Sequence, residues 1–201
     1  NAAQRFEEAT SGRPENQRYM ALATRNDTHF ARANKTEWQR LHEQAIELAT
    51  QAGGTNPIQL QRALLIDAAA GHFLTDAYAS GHLFDKSIVL PAISLHLASN
   101  PITAANPQLQ AYIGVVGFSG QLPQLVLKAV HDRMNRNGFM ATNQVGMRWR
   151  TYGDNYLSVA QETQRIAALA VFLSRQQVYQ AYQGQDPDSA KILALMPDDN
   201  T

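Results

Sequence analysis

The residues best suited to chemistry stand in one run, Gly71-His72-Phe73-Leu74-Thr75-Asp76-Ala77-Tyr78-Ala79-Ser80-Gly81-His82. Side chains four apart share a helix face, so His72 and Asp76 point the same way. Ser80-Gly81 then ends the helix and lets His82 turn back toward that face. Two imidazoles and a carboxylate so placed suit zinc, which takes such ligands at ~2.0–2.2 Å. The second oxygen of Asp76 also lets it bridge two ions. The same spacing serves a plain surface or half-buried His–Asp hydrogen bond. Ala68, Ala69 and Ala70 before His72, with Phe73 and Leu74 after it, point to a helix buried on several sides. Imidazole and carboxylate are costly there unless paired or metal-bound.

Such residues need elements to position them, and the apolar pattern is helical nearly throughout. From Thr36 to Ala52, Trp38, Leu41, Ala45, Ile46, Leu48 and Ala49 recur at three- and four-residue steps until Gly53-Gly54. Pro57 suits a first helical turn, and Ile58 to Ala79 reads as a long helix ending near Ser80-Gly81. Leu122 to Asn135 is another, closed by Asn137-Gly138. Asp154 reads as the N-cap of a last long helix to about Tyr182. The predicted fold is all-α, a single-domain multi-helix bundle over residues 1–201. Residues 84–123, with Pro91, Pro101, Pro107 and Pro123, read as short helices and loops, either covering a site or forming a surface connection. Phe139 to Tyr152 reads as a small hairpin or ordered loop, in which Trp149 and Tyr152 are core residues or a wall to a substrate. The tail over 184–201 reads as loosely held. Gly114, Gly117 and Gly120 mimic a phosphate-loop spacing without its strand-to-helix context or its lysine, and that reading is rejected.

Composition narrows the classes. Hydrophobic residues at 44% and charged ones at 17% belong to a globular chain. Seventeen basic residues balance seventeen acidic ones, so no basic surplus exists for following nucleic-acid phosphates or an anionic membrane. Cysteine is absent, which excludes disulfides, thiolate chemistry and Cys-type zinc sites. The longest apolar run, Ile166 to Leu173, falls far short of the ~20 residues that cross a bilayer.

The run His72-x3-Asp76-x5-His82 at the end of a buried helix resembles the signature of the zinc-dependent phospholipase C and P1-type nuclease superfamily. Further segments share the likeness. Asp27-Thr28-His29-Phe30 is similar to the His-Phe step that supplies another ligand in the bacterial phospholipase C branch, where an acidic ligand lies fourteen residues upstream; Glu15 stands at that distance from His29. Val130-His131-Asp132-Arg133-Met134-Asn135 is similar to the helix that gives a late histidine ligand followed one turn on by a carboxylate, although Asn135 replaces the carboxylate here and Asp132 is adjacent. The run His131-Asp132, Asn135, Gly138, Asn143, Gly146, Trp149 and Tyr152-Gly153-Asp154 also resembles a further bacterial branch of the superfamily. Together these motifs cover about Glu15 to Asp154.

The resemblance implies an all-helical phosphodiesterase with clustered zinc ions. One ion would be held by His29, His72, Asp76 and Glu15, the other by His82, His131 and an oxygen ligand, with Glu15 and Asp76 as the catalytic carboxylates. His42, His96 and Asp132 stand in reserve. His42 lies on the apolar face of its helix, where a satisfied core histidine is the commoner explanation, and His96 stands fourteen residues after His82. Family members use a mature N-terminal tryptophan and a nearby histidine for one zinc. This chain begins with Asn1 and has no histidine before His29: either that ion is absent, or the true terminus is missing, or His42 substitutes, and two ions, within a range of one to three, are expected. The implied reaction is attack on phosphorus by a metal-bound hydroxide, and the implied location is periplasmic or secreted. A phospholipid or other small phosphodiester suits a neutral protein as substrate. The alternatives are a P1-type single-strand nuclease and a non-catalytic helical module that binds metal or a partner. Oligomeric state is not legible.

Overall fold

The computed structural model describes residues 26–101, 105–107 and 122–198. Among them are six α-helices, three short 3₁₀ turns and one β-hairpin, in keeping with a mostly helical fold. The first two helices form an antiparallel pair, α1 (Ala31–Ala52) and α2 (Pro57–Asp76). Gly53 closes α1 at φ 54°, a left-handed conformation that glycine adopts without penalty. Asn56 then caps α2 by accepting the N–H of Gln59 at 3.1 Å, and Pro57 occupies the first turn, where its missing N–H costs nothing.

A third long helix, labelled α5 below (Gln161–Tyr182), packs on both. The contact is built from small residues at helical steps. Ala45, Ala49, Ala63, Val178 and Ala181 form one buried cluster, and Trp38, Ala70, Leu74, Tyr78, Ile166 and Ala170 belong to a second. Alanine at these positions lets the helix backbones approach closely while Trp38 and Leu74 fill the remaining volume.

One polar network crosses this apolar interior. His42 of α1 is fully buried, with Nδ1 at 3.0 Å from Asp67 Oδ1 and Nε2 at 3.0 Å from Gln177 Oε1. Ser174 Oγ–H donates to Asp67 Oδ1 at 2.7 Å, and Arg175 Nε–H donates to the other oxygen at 3.1 Å. Burial pushes the Asp67 carboxyl up, but the bonds from His42, Ser174 and Arg175 outweigh it and hold the group below its ordinary value. His42 is therefore a satisfied core histidine, and the reserve role as a metal ligand is corrected: both ring nitrogens face partners inside the bundle.

The remaining elements are α3 (Lys86–Ser99), α4 (Leu122–Asn137), the strands β1 (Phe139–Thr142) and β2 (Arg148–Thr151), and the short α6 (Ala190–Leu193). The strands pair antiparallel with Ala141 opposite Trp149. Trp149 is buried in the cluster with Tyr78 and Met196, which makes it a core residue.

Three expectations are corrected. Residues 86–99 are one helix with Pro91 inside it, although an interior proline removes a backbone bond and crowds the carbonyl four residues before it; Asp85 caps the start by accepting the N–H of Ser87 at 2.8 Å, and residues 102–104 and 108–121 lie outside the described residues. From Gly184 to Asp198 the segment is held rather than loose: Ile192 and Met196 are buried, Pro197 bridges to Asn143, and Asp198 N–H donates to the carbonyl of Thr142 at 2.7 Å; residues 199–201 lie outside the described residues. Asp154 opens a 3₁₀ turn, Asp154–Val159, and α5 starts only after Ala160. Gly114, Gly117 and Gly120 lie outside the described residues. Among those described, no helix is long and apolar enough to cross a membrane.

Candidate metal centre

Asp76 is the last residue of α2, and His72 precedes it by one turn on the same face. The third member comes from a distant part of the chain. His29 ends the 3₁₀ turn Asp27–His29, and Lys86 at the start of α3 holds that turn. Its buried ammonium donates to Asn26 Oδ1 and pairs with Asp27 Oδ1, both at 2.8 Å. Phe30 is buried and stacks on His82 with ring centroids 5.0 Å apart. The chain then enters α1 through Ala31 at φ 44°, a left-handed conformation that costs a non-glycine residue about 1–3 kcal/mol.

These anchors bring three ligand atoms together. His29 Nδ1–H donates to Asp76 Oδ2 at 2.6 Å, and His72 Nε2 lies 3.8 Å from the same oxygen. One ring nitrogen from each of His29 and His72 and an oxygen of Asp76 all fall within 4.8 Å of one another. His72 is 63% exposed while Asp76 is 18% exposed, so the group is anchored on one side and open to solvent on the other.

His82, expected as a ligand, is outside that group among the described residues and makes a structural contact beside it. Its Nδ1–H donates to the backbone carbonyl of His29 at 2.7 Å, while the same nitrogen stands 3.8 Å from Asp76 Oδ2. Asn34 Nδ2–H reaches that carbonyl as well, at 3.3 Å. His82 thus braces the turn that presents His29.

His131 lies beside this brace, its ring centroid 5.0 Å from that of His82. Its Nδ1–H donates to Asp132 Oδ1 at 3.0 Å, and its Nε2 accepts from Asn135 Nδ2–H at 3.3 Å. Burial pushes the Asp132 carboxyl up, but Lys128 and His131 outweigh it and hold the group low. Asp132 is therefore committed to its own helix, where Lys128 Nζ donates to it at 2.5 Å. His96 lies on the exposed side of α3 and belongs to no ligand group among the described residues. Glu15 lies outside the described residues. Sequence reasoning missed Lys86, Asn34 and Asn135 as supports, because Lys86 and Asn135 act on partners distant in the chain and Asn34 acts on a backbone carbonyl.

Comparison of the chain with protein-family models, with curated proteins and with solved structures found no significant match. The chemistry of the donors themselves therefore has to test the fit to a metal. Zinc ligands at ~2.0–2.2 Å in a tetrahedron stand roughly 3.3–3.6 Å apart. The 3.8 Å separation of His72 and Asp76 is close to this, whereas the 2.6 Å His29–Asp76 hydrogen bond would have to open by about 1 Å and Nδ1 of His29 to give up its proton before that nitrogen could hold the ion. Two imidazoles and one carboxylate fit zinc and leave a position for water or substrate, the pattern of catalytic rather than structural zinc sites.

Proposed function

We propose that His29, His72 and Asp76 hold one zinc ion and that the protein is a zinc-dependent phosphodiester hydrolase of the phospholipase C type. The observation that carries this reading is the convergence of the three ligand atoms within 4.8 Å, from two elements that are distant in the chain. The resemblance of His72-x3-Asp76-x5-His82 to zinc phosphodiesterases directs the choice of substrate. Zinc bound to such donors acidifies water toward a pKa of ~7 and offsets charge on a phosphate. The chain's own residues supply the rest. Asp76 contributes the negative charge and fixes the direction of the His29 ring, and His82 fixes the His29 backbone. The exposed edge at His72 leaves the phosphate free to approach.

A lipid or other partly apolar phosphodiester suits the surroundings better than a nucleic acid. The formal charge is zero, and α3, which follows His82 directly, has no Asp, Glu, Lys or Arg from Ser87 to Ser99. Ile88 and Leu95 on that helix are 68% and 71% exposed. A strand-following nuclease would present cations there instead. The test is hydrolysis by zinc-loaded protein of phosphatidylcholine vesicles and of single-stranded DNA, side by side. Release of phosphocholine that disappears in Asp76→Asn supports the reading. Preferential, salt-sensitive cleavage of DNA transfers it to the nuclease class, and inertness toward both substrates overturns it.

A further inference from the structure

The turn that carries His82, Ser80–His82, is a three-residue 3₁₀ element whose own backbone bonds are His82 N–H to the Ala79 carbonyl at 2.9 Å and Leu83 N–H to the Ser80 carbonyl at 3.4 Å. A side chain on α4 holds it. Asn135 is 2% exposed. Its Oδ1 accepts the N–H of Gly81 at 2.6 Å and lies 3.5 Å from Ser80 Oγ, whose proton goes to the carbonyl of Met134 at 2.8 Å. Its backbone carbonyl accepts the N–H of Gly153 at 3.3 Å. Two glycines make room for it. A Cβ on Gly81 would stand 2.6 Å from Asn135 Oδ1, and a Cβ on Gly153 would overlap the same atom outright.

The amide can face only one way. An N–H of Gly81 needs an acceptor, so the oxygen of Asn135 points to Gly81 and its NH₂ points to Nε2 of His131 at 3.3 Å. Nε2 of His131 must then accept, which puts the ring proton on Nδ1, where Asp132 Oδ1 receives it at 3.0 Å. We infer that Asn135 is a positioning residue with two effects: it fixes the His82 turn through Gly81, and it sets His131 in its Nδ1–H tautomer. From Gly81 the constraint passes to His82, to the carbonyl of His29 and so to the His29–Asp76 pair. The effect on metal affinity rests on the zinc reading above; the turn and the tautomer do not.

The experiment uses the full chain labelled with ¹⁵N, metal-free and then titrated with zinc. Imidazole ¹H–¹⁵N spectra report the tautomers, and amide hydrogen exchange reports Gly81. Wild type shows His131 protonated at Nδ1 and bare at Nε2, with a slowly exchanging Gly81 amide. Asn135→Asp keeps the acceptor for Gly81 and removes the donor to His131, so Gly81 stays protected while a proton appears on Nε2. Asn135→Ala frees the Gly81 amide and lowers zinc affinity, by less than the ~10–100-fold typical of losing a group bonded directly to a ligand. An Nε2–H tautomer of His131 in wild type overturns the inference whether or not any variant folds. An unchanged tautomer in Asn135→Asp also overturns it. If the tautomer shifts as described but wild type takes up no zinc, the metal reading fails and the positioning role stands.

Discussion

Oδ2 of Asp76 accepts a 2.6 Å hydrogen bond from Nδ1 of His29, 47 residues earlier in the chain. That contact joins the end of α2 to the turn before α1 and places the first carboxylate and the first imidazole of the cluster face to face. A charge-assisted bond of this kind is short and strong, so it fixes the two side chains against each other.

The His72 side chain is 63% exposed, with its ring centroid 5.0 Å from that of His29. His72→Ala should therefore change stability by no more than about 0.5 kcal/mol, as surface substitutions do, while removing a ligand. Zinc affinity should fall by more than the ~10–100-fold typical of supporting contacts. Thermal unfolding in chelator beside calorimetric zinc titration checks both halves. A variant that binds zinc like wild type contradicts the ligand assignment.

The buried network around Asp67 makes a prediction about acid. The folded carboxyl lies below its ordinary value, whereas an unfolded aspartate titrates near ~3.9. Its contribution to stability is fully present above the unfolded value and is lost as pH falls through the folded one. Asp67→Asn should cost about 3–5 kcal/mol near neutral pH, since His42 and Arg175 lose their buried partner. The difference from wild type should shrink as pH falls below ~3.9. Urea unfolding across that range measures it, and a difference that stays constant into acid rules out Asp67 as its source.

The C-terminal segment should behave as part of the fold. Met196 is 1% exposed and lies in the cluster with Trp38, Leu74 and Trp149. Met196→Ala should destabilise the whole protein by about 2–5 kcal/mol. Loss of a small, separate transition instead would show that the tail unfolds on its own.

Much of the scaffold was legible because it rests on local signals. The three- and four-residue steps of Trp38, Ala45 and Ala49, the stop at Gly53 and the opening Pro57 announce α1 and α2 within a few residues of their observed bounds. The shared face of His72 and Asp76 follows from the same periodicity. What stayed hidden depends on partners distant in sequence. Nothing near His82 shows that its Nδ1 serves the carbonyl of His29, and nothing near Asn135 shows that its amide is buried between two glycines. Pro91 misleads because a breaker signal does not say how many bonds are lost. Ile192 and Met196 mislead because a four-residue helix, Ala190–Leu193, is too short to show a period.

The most direct test is zinc stoichiometry and affinity, measured by mass spectrometry and calorimetric titration on protein purified without chelator or affinity-tag metal, with Asp76→Asn alongside. The account predicts one zinc per chain at His29, His72 and Asp76 in wild type and its loss in the variant. No zinc uptake by wild type, or equal uptake by Asp76→Asn, contradicts it.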